Sequence, residues 1–287
     1  MIRPLAPLTL GTRGSALALA QTGLVAAALD EPTETRIVKT AGDASARPLQ
    51  ELGDGVFVAA LEDALRERTI DAAVHSLKDL PTGPRPGLVI AAVLPREDPR
   101  DVLITTARHG LASLVRGARV GTSSPRRDAA LRAIRPDIVT APIRGNVETR
   151  LAKVARGEYD ATVLALAGLR RLGIAVAEDE TIALAVMLPA PGQAAIAVQC
   201  RADDRVTLER LARIDDDATR RTTDAERELL RILGGSCDLA LGALARIAGQ
   251  GIVLDAMLGA RRTSVRAREP LALARTAAAG LGALGVA

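Results

Sequence analysis

Polar residues capable of chemistry end a short apolar run in the first third of the chain. Residues 72–81 read Ala-Ala-Val-His-Ser-Leu-Lys-Asp-Leu-Pro, and His75, Ser76, Lys78 and Asp79 are the polar members. The final proline lacks a backbone N–H and prevents a regular continuation. A buried strand that stops in this way delivers side chains to a cleft at its carboxyl end. The alternative is a strand that ends in a solvated turn.

Asp79 is the member of this stretch best suited to act on a nitrogen base. The sequence offers it no histidine partner, which argues against a Ser-His-Asp triad. A carboxylate of this kind can stabilise a cation or exchange protons with nitrogen. We therefore take Asp79 as the candidate for these two tasks.

Three predicted strand-to-helix turns combine hydroxyl or amide side chains with arginine. They are residues 12–15, 122–127 and 144–146. Backbone N–H groups at a helix N-terminus, hydroxyls and a bidentate guanidinium together suit an anion. One such turn is common, whereas three indicate a cleft that holds several carboxylates or phosphates. The chain has no Walker or dinucleotide-binding glycine pattern, which disfavours nucleotides, and the planar fork of arginine suits carboxylates.

The two cysteines differ in their surroundings. Cys237 follows Gly234-Gly235-Ser236 at a predicted helix end, where a thiol is accessible and free to react. Cys200 ends a predicted strand and is expected to pack inside. With only two histidines, His75 and His109, and two distant cysteines, the sequence offers no zinc site.

The composition is that of a globular protein without the features of a nucleic-acid binder. The 287 residues suffice for two or three domains, with 48% hydrophobic and 25% charged residues. One Tyr, one Phe and no Trp leave too few rings to stack on bases. The net charge of +4 is dispersed, so its basic excess is interpreted as a local arginine patch for a small anion.

The sequence predicts a cytoplasmic protein that does not enter a membrane. No apolar run approaches the length of a membrane span. The Ala/Leu-rich residues 16–29 are interrupted by Gln21 and Thr22 and lack a following cleavage site, unlike a secretory signal. Two cysteines cannot form a disulfide framework and suit a reducing compartment.

Predicted strands and helices alternate, which favours parallel α/β sheets with crossovers. Ser15 is the candidate N-cap of a helix that runs to about Leu29. The charge-dense segments 96–101 and 215–217 are predicted domain boundaries. Thr223, with Glu226 three residues later, is predicted to cap a later helix. The other predicted strands cover 8–10, 35–40, 88–93, 102–105, 139–143, 160–167, 195–200, 242–247 and 252–258, besides the short apolar run that begins at Ala72. The other predicted helices cover 57–68, the residues that follow Arg127 to about Ile134, 147–155 and 271–287.

Eight segments of the chain resemble segments of the porphobilinogen deaminase family. Several are long, they occur in the family's order, and together they extend over nearly the whole chain. They are residues 12–15, 74–81, 96–101, 120–127, 144–150, 158–173, 188–193 and 234–237.

The resemblance implies an α/β fold with three domains. Two are α/β domains like those of periplasmic binding proteins, joined by crossing hinge segments, and a small C-terminal α+β domain follows. The implied ranges are 1–95 with 190–213 for the first, 96–189 for the second and 214–287 for the third. A monomer is also implied.

The resemblance further implies hydroxymethylbilane synthase activity, with porphobilinogen as the substrate. Units are added with loss of ammonia to a dipyrromethane cofactor held by a thioether to Cys237, and a linear tetrapyrrole is released by hydrolysis. Asp79 matches the catalytic carboxylate. The matching cofactor-binding positions are Ser15, Lys78, Thr122, Ser123, Ser124, Arg126, Arg127, Arg144, Gly145 and Asn146, and the matching substrate-binding positions are Arg13, Arg150, Arg171 and Gln193.

The chain departs from the family's pattern at three places. Residues 51–55, Glu-Leu-Gly-Asp-Gly, form an acidic loop one residue shorter than the usual lysine-bearing one. Ala194 stands where a glycine is usual, and the segment from Cys237 to Ala240 lacks the usual proline. The alternative interpretation is therefore a catalytically impaired paralogue, or an organic-anion-binding protein of the same fold.

Overall fold

The computed structural model describes residues 6–39, 58–106, 109–235 and 238–282. The chain divides into two compact units. Unit 1 takes in Met1–Arg96 and Ala195–Arg220, and unit 2 takes in Glu97–Ala194 and Arg221–Ala287. The division into three domains predicted from the sequence is finer than this and stays a prediction.

Unit 1 is built on a five-stranded mixed sheet with the order β2-β1-β3-β10-β4. Its strands are β1 (Leu8–Thr12), β2 (Thr33–Ile37), β3 (Ala72–Ser76), β4 (Leu88–Val93) and β10 (Ile196–Arg201). β1 is parallel to β2 and β3, whereas β10 is antiparallel to β3 and β4. Because β1 and β3 run the same way, their carboxyl ends meet at one edge of the sheet.

Three α-helices lie wholly within the described residues of unit 1. They are α1 (Ala16–Leu29), α2 (Ala59–Arg66) and α6 (Arg205–Ala212). α2 buries Leu61 and Leu65, four residues apart on one face, and so covers the sheet with an apolar stripe. Val25 of α1 is likewise completely buried against the sheet core.

Unit 2 contains a second five-stranded sheet with the order β7-β6-β8-β5-β9. Its strands are β5 (Asp101–Thr105), β6 (Arg119–Gly121), β7 (Val139–Ala141), β8 (Ala161–Ala165) and β9 (Thr181–Ile182). β6 is parallel to β7 and β8, and β5 is antiparallel to β8 and β9. The arrangement repeats that of unit 1, with three parallel strands followed in the sheet by a fourth strand that is antiparallel to the third. Its helices are α3 (Pro125–Ile134), α4 (Val147–Ala155) and α5 (Leu166–Arg171).

The C-terminal part of unit 2 is a three-stranded antiparallel sheet with helical packing. The strands are β11 (Leu241–Ala248), β12 (Gly251–Leu258) and β13 (Arg261–Ala267). α8 (Pro270–Gly280) and the end of α7 (Asp217–Ile232) complete its core with small and branched side chains, because aromatic residues are nearly absent. The mixed α/β class and this small final sheet agree with the fold class predicted from the sequence.

The sheets correct the predicted strand direction. Alternating strands and helices favoured parallel sheets, but both five-stranded sheets are mixed, since β10 and β5 each enter antiparallel to their neighbours. Short-range patterns give no sign of such long-range pairing. The weakly patterned β13 and the helix α6 were also missed.

The start of α7 and the end of β8 differ from the predictions. The helix predicted to begin at Thr223 begins at Asp217, because the Asp216 carboxylate accepts a hydrogen bond from the backbone N–H of Thr219 at 2.7 Å. The predicted strand at residues 160–167 ends at Ala165, where α5 begins. No helix in the described ranges is long and apolar enough to cross a membrane.

Candidate functional site

One small cavity in unit 1 lies at the sheet edge where β1 and β3 end. Its walls include Arg13 and Ser15 from the turn after β1, Gln21 from α1, His75 from β3, and Asp79 from the turn after β3. The parallel pairing of β1 with β3 brings these two turns together. Three of the predicted catalytic and binding residues, Arg13, Ser15 and Asp79, therefore share one cavity.

The first turn is held by a helix cap and by close packing. The Ser15 hydroxyl accepts a hydrogen bond from the backbone N–H of Ala18 at 3.3 Å, which confirms the predicted N-cap. Thr12 is buried and donates its hydroxyl to the Ala18 carbonyl at 3.2 Å. A Cβ atom at Gly11 would lie 2.3 Å from Ile70 Cδ1, so a larger residue here would force the buried Ile70 side chain to move. Because Ser15 caps through its oxygen, its proton stays available for another acceptor.

Asp79 ends a single 3₁₀ turn, Leu77–Asp79, that follows β3. The backbone N–H of Leu77 donates to the Ala195 carbonyl at 3.0 Å, and the side chains of Leu77 and Leu80 are buried. This anchoring leaves Asp79 exposed at the cavity and Lys78 half-buried. Among the described residues, none forms a hydrogen bond or ion pair with the Asp79 carboxylate. The carboxylate is therefore open to a ligand.

His75 is a neutral group at neutral pH. Its side chain is 5% exposed, and burial lowers its pKa from 6.5 to about 4, with a hydrogen bond to Gln199 acting in the opposite direction and the charge of Arg13 lowering it further. His75 can thus exchange hydrogen bonds in the cavity without adding a positive charge. Sequence reasoning found no histidine partner for Asp79, yet His75 and Asp79 line the same cavity.

Buried polar residues lie behind His75. Gln199 donates its side-chain N–H to Glu62 Oε1 at 3.2 Å, and the same oxygen lies 3.0 Å from Arg85 Nε. Glu62 is 3% exposed and Gln199 is 2% exposed. In the described part of the chain, Gln199 Oε1 and His75 Nε2 are both buried without a hydrogen-bond partner. The polar groups behind the cavity are therefore only partly satisfied by one another.

The second predicted turn, after β6, uses each of its hydroxyls. Ser124 caps α3 by accepting the backbone N–H of Arg127, and Thr122 accepts the N–H of Ser124 at 3.2 Å. Ser123 donates to the Ile143 carbonyl at 2.8 Å and accepts the Ile143 N–H at 3.1 Å. Because β6 and β7 are parallel neighbours, these bonds join the turn after β6 to the turn after β7.

The third predicted turn, after β7, carries a half-buried arginine. Asn146 caps α4 by accepting the backbone N–H of Thr149 at 2.9 Å, and Arg150 Nε donates to the Gly145 carbonyl at 2.9 Å. Gly145 has φ of +109°, and a Cβ there would lie 2.5 Å from Thr149 Cγ2. Within the described ranges no group pairs with the Arg144 guanidinium. The Arg144 guanidinium is therefore available to bind an anion.

Arg126, Arg127 and Gln193 are placed differently from what ligand-binding positions suggest. All three are buried and meet at Asp101, the first residue of β5. Asp101 Oδ2 lies 2.7 Å from Arg126 Nη1, and Asp101 Oδ1 lies 2.8 Å from Arg127 Nη2 and 2.9 Å from Gln193 Nε2. Burial alone raises the pKa of the Asp101 carboxyl, but the charges of the two arginines overcome this and hold it well below its usual range. The assignment of the three residues as carboxylate ligands stays a prediction.

Some polar groups of this cluster have no hydrogen-bond partner among the described residues. The Nε atoms of Arg126 and Arg127 are buried without a hydrogen-bond partner in the described part of the chain. Two guanidinium groups also face one carboxylate, so one positive charge is in surplus. Buried groups of this kind call for an anionic partner. The residues therefore fit a ligand or cofactor that carries carboxylates.

Arg171 lies at the end of α5, which follows β8. Its Nη2 group donates a hydrogen bond to the carbonyl of Ala194. Burial lowers the pKa of the Arg171 guanidinium, and the nearby charge of Glu97 raises it. This places Arg171 beside the segment that contains Gln193, another predicted substrate-binding position.

Two predictions fall outside the described residues. Cys237, the predicted attachment point of the cofactor, is one, and the acidic loop at residues 51–55 is the other. Cys200, predicted to pack inside, is buried, and burial raises its pKa to about 11. In the described ranges no cluster of three or more His, Cys, Asp or Glu side chains could hold a metal ion.

Sequence reasoning missed Asp101, Glu62 and Gln199. Asp101 closes the charge-dense run at residues 96–101, which is interpreted as a domain boundary and as a segment resembling the family, with no role for Asp101 itself. Its position as the first residue of an apolar strand was the available signal, since a carboxylate there is buried and needs partners. Glu62 and Gln199 occur singly within an amphipathic helix and a buried strand, where no sequence pattern marks them.

Comparisons with known proteins agree on one family. The family model described as "Porphobilinogen deaminase, dipyromethane cofactor binding domain" matches residues 8–209. A porphobilinogen deaminase of Nocardia farcinica is 51% identical over 244 residues, which cover 84% of this chain and 70% of that protein. A porphobilinogen deaminase of a Roseiflexus species is 49% identical over 261 residues, covering 88% and 86% of the two chains.

The solved structures are less informative. The crystal structure of a methionine-binding protein, MetQ, covers 74% of this chain and 91% of its own chain, with a TM-score of 0.48 and 11% identity. A likeness of that size carries no argument about the fold or the ligand. The sequence matches are long and close enough to assign the family. By them this chain belongs to the porphobilinogen deaminase family.

Proposed function

We propose that this protein is a hydroxymethylbilane synthase. It condenses porphobilinogen units stepwise, releases one ammonia with each unit, and frees the linear tetrapyrrole by hydrolysis. Membership of the family supports this activity. The observation that carries it within the structure is the exposed Asp79 carboxylate, unpaired among the described residues, in a cavity that also holds Arg13 and the neutral His75.

Asp79 is the proposed catalytic residue. Loss of ammonia from the aminomethyl group of porphobilinogen leaves a positively charged pyrrole. A carboxylate accepts hydrogen bonds only, so Asp79 stabilises that charge through the pyrrole N–H. Coupling of two pyrroles releases a proton, and the same carboxylate is placed to take it up. Its exposure allows the group to exchange that proton with solvent.

The predicted anion-binding residues are proposed to hold carboxylates of the substrate and of the cofactor. Ser15 and Ser124 cap helices through their oxygens and Asn146 caps through Oδ1, so their O–H and N–H groups can still donate to an anion. Arg144 and Arg13 supply charge for the same purpose. Lys78, Thr122, Ser123, Gly145, Arg150 and Arg171 complete this proposed set, together with Arg126, Arg127 and Gln193.

The dipyrromethane cofactor is proposed to be attached to Cys237. When bound, it supplies the nucleophilic pyrrole carbon to which substrate units are added. The chain's own contribution is charge and orientation, since the Arg126–Arg127 cluster has a surplus positive charge and two unpartnered Nε groups. The monomeric state implied by the family resemblance and the cytoplasmic location inferred from the sequence also remain predictions.

The first test is the mass of the purified intact protein. We expect an increment of dipyrromethane size, present as purified or after supply of porphobilinogen, and lost from the Cys237→Ser variant. Cys200→Ser is the matched control, because Cys200 is buried in β10 and should leave the increment unchanged. Absence of the increment under both conditions would contradict the proposal.

Turnover separates the proposed enzyme from the alternative. A catalytic protein consumes porphobilinogen and releases ammonia in proportion to the tetrapyrrole formed. An impaired paralogue or a simple binder of organic anions would carry the adduct or bind the substrate without this turnover. An adduct with no ammonia release would therefore favour the alternative over the synthase.

A further inference from the structure

Asp101 is the common acceptor for three side chains that the proposed function assigns to ligand carboxylates. It is completely buried at the start of β5, and both of its carboxylate oxygens are used. Oδ2 receives Arg126 Nη1 at 2.7 Å, and Oδ1 receives Arg127 Nη2 at 2.8 Å and Gln193 Nε2 at 2.9 Å. A single carboxylate thus fixes groups from α3 and from the segment before β10.

Each of the three donors also has a second acceptor on the backbone of unit 2. Arg126 Nη1 donates to the Leu188 carbonyl at 2.7 Å, and Arg127 Nη1 donates to the Val163 carbonyl at 2.8 Å. Gln193 Nε2 donates to the Pro99 carbonyl at 2.8 Å. Two acceptors define the orientation of a planar guanidinium or amide far better than one. Asp101 is the acceptor that all three donors share.

The cluster retains a positive charge that Asp101 does not cancel. Arg126 is 3% exposed and Arg127 is 7% exposed, so water does little to compensate the second guanidinium. Their Nε groups are buried and lack partners among the described residues. A carboxylate on the ligand would supply the missing negative charge and an acceptor for these groups.

We propose that Asp101 is a positioning residue, which orients Arg126, Arg127 and Gln193 so that their surplus charge meets one carboxylate of the bound pyrrole chain. This inference rests on the proposed function, whose ligands are pyrroles bearing acetate and propionate groups. Asp101 itself acts only through its three partners, because both of its oxygens are occupied.

The Asp101→Asn variant distinguishes two roles for Asp101, orienting its three donors or serving only as their counter-charge. The substitution keeps the size of the side chain but removes its charge, and leaves one oxygen where two accepted. If Asp101 acted only as a counter-charge, its loss would raise the positive charge of the cluster and tighten binding of a carboxylate. If it orients the arginines, binding weakens. We expect half-loading with the pyrrole adduct, read from intact mass, to need at least tenfold more porphobilinogen.

The Asp101→Glu variant tests the same point while keeping the charge. An added methylene moves the carboxylate out of register with its three donors, so orientation is disturbed although the charge is retained. We expect loading to weaken here as well. The KM for porphobilinogen should rise in both variants by a larger factor than kcat falls, because Asp101 does not touch the reacting atoms.

Glu31→Gln is the matched structural control. In unit 1, Glu31 lies between two arginines, with Oε1 2.7 Å from Arg210 Nε and Oε2 3.7 Å from Arg213 Nη1. Removing its charge should lower the thermal midpoint, as the Asp101 changes do, but leave the loading concentration unaltered. Each variant is assayed in the cold, where far-UV circular dichroism confirms that it is folded.

The outcomes separate this inference from the proposed function. Unchanged or tighter loading in folded Asp101→Asn, or normal loading in Asp101→Glu, overturns the positioning role while the wild-type adduct still supports the synthase. An equal loss of loading in Glu31→Gln would show a general effect of stability and would also overturn it. Failure of the wild-type protein to load at all would contradict the proposed function itself.

Discussion

Asp79 and Asp101 carry the same side chain, but their different surroundings give them different roles. Asp79 is exposed, without a bond to any described residue, at the end of a turn anchored by buried leucines. Asp101 is completely buried and accepts from two arginines and a glutamine. The first carboxylate can meet a cationic substrate, whereas the second is occupied by its partners. Position within the fold makes one a catalytic candidate and the other a positioning candidate.

Replacement of Asp79 by asparagine should reduce turnover without affecting the fold. The amide keeps the shape of the side chain but cannot balance a positive charge or accept a proton, so we expect kcat to fall roughly 10²- to 10³-fold. The thermal midpoint should stay unchanged, because an exposed side chain without partners contributes little stability. Ammonia release and thermal unfolding measure the two effects.

Asp203→Asn is the control for this substitution. Asp203 is also exposed and pairs only at the surface, with Arg68 Nη2 at 2.9 Å, so its change should leave kcat as it is. Equal activity of the Asp79 and Asp203 variants would show that the catalytic carboxylate lies elsewhere.

His75 should make the stability of the protein depend on pH between about 4 and 6.5. Its folded-state pKa of about 4 is below its ordinary value of 6.5, so in this range the unfolded chain binds the extra proton. Its contribution is therefore complete above pH 6.5 and is lost as the pH falls through 4. At pH 4.5 the loss is about 2–3 kcal/mol of the free energy of unfolding.

The His75→Gln variant isolates this effect. Urea unfolding at pH 7 and pH 4.5 should show a smaller difference between the two pH values in the variant than in the wild type. His109→Gln is the control, because His109 is exposed and should leave the difference unchanged. If the His75 variant lost as much stability on acidification as the wild type, another group would be responsible.

At the level of elements, helix caps and strand ends account for the placement of the site. Ser15, Ser124 and Asn146 each cap the helix that follows β1, β6 or β7. A cap uses the side-chain oxygen as an acceptor and leaves donors unused. The same residue can therefore stabilise its helix and receive an anion, which is why three local cap patterns pointed to an anion site.

The segment before β10 contains a residue under backbone strain. Ala194 has φ of +74°, in the left-handed region, where a side chain costs roughly 1–2 kcal/mol. Glycine removes this cost, although its greater freedom in the unfolded chain offsets roughly 0.5–1 kcal/mol. We expect Ala194→Gly to raise the free energy of unfolding by about 0.5–1 kcal/mol, measured by urea denaturation.

Ala195→Gly provides the comparison for this change. Ala195 is 1% exposed and is not among the residues with positive φ, so glycine there should destabilise the protein through lost packing and added freedom. Destabilisation of similar size at both positions would show that the strain at Ala194 is not relieved by glycine.

At the level of the whole molecule, the basic excess is only partly a ligand-binding feature. Arg201 and Arg210 are buried in unit 1, where Arg201 Nη1 donates to backbone carbonyls and Arg210 Nε lies 2.7 Å from Glu31. Arg126 and Arg127 are buried on Asp101 in unit 2. Arginine suits such places because its fork can satisfy several acceptors at once. A count of charges in the sequence cannot separate these residues from Arg144, which has no described partner.

Local patterns predicted much of the local structure. The helix predicted to follow Arg127 forms most of α3, which begins slightly earlier at Pro125, and the predicted helix at 147–155 forms α4. The Ser15 cap and the strand before Asp79 are also correct. In each case neighbours within a few residues fix the hydrogen bonds and the buried face. The prediction at Thr223 failed because a nearby competitor, Asp216, caps α7 first.

Residue types at short spacing were enough to identify the family, the α/β class, the candidate carboxylate Asp79 and the arginine-bearing turns. The folded structure was needed to show that His75 shares a cavity with Asp79 and that burial lowers its pKa. It alone gathered Arg126, Arg127 and Gln193 around Asp101, across separations of up to 92 residues. Burial and pairing of charges depend on which distant segments meet, and that follows from the packing of the whole chain.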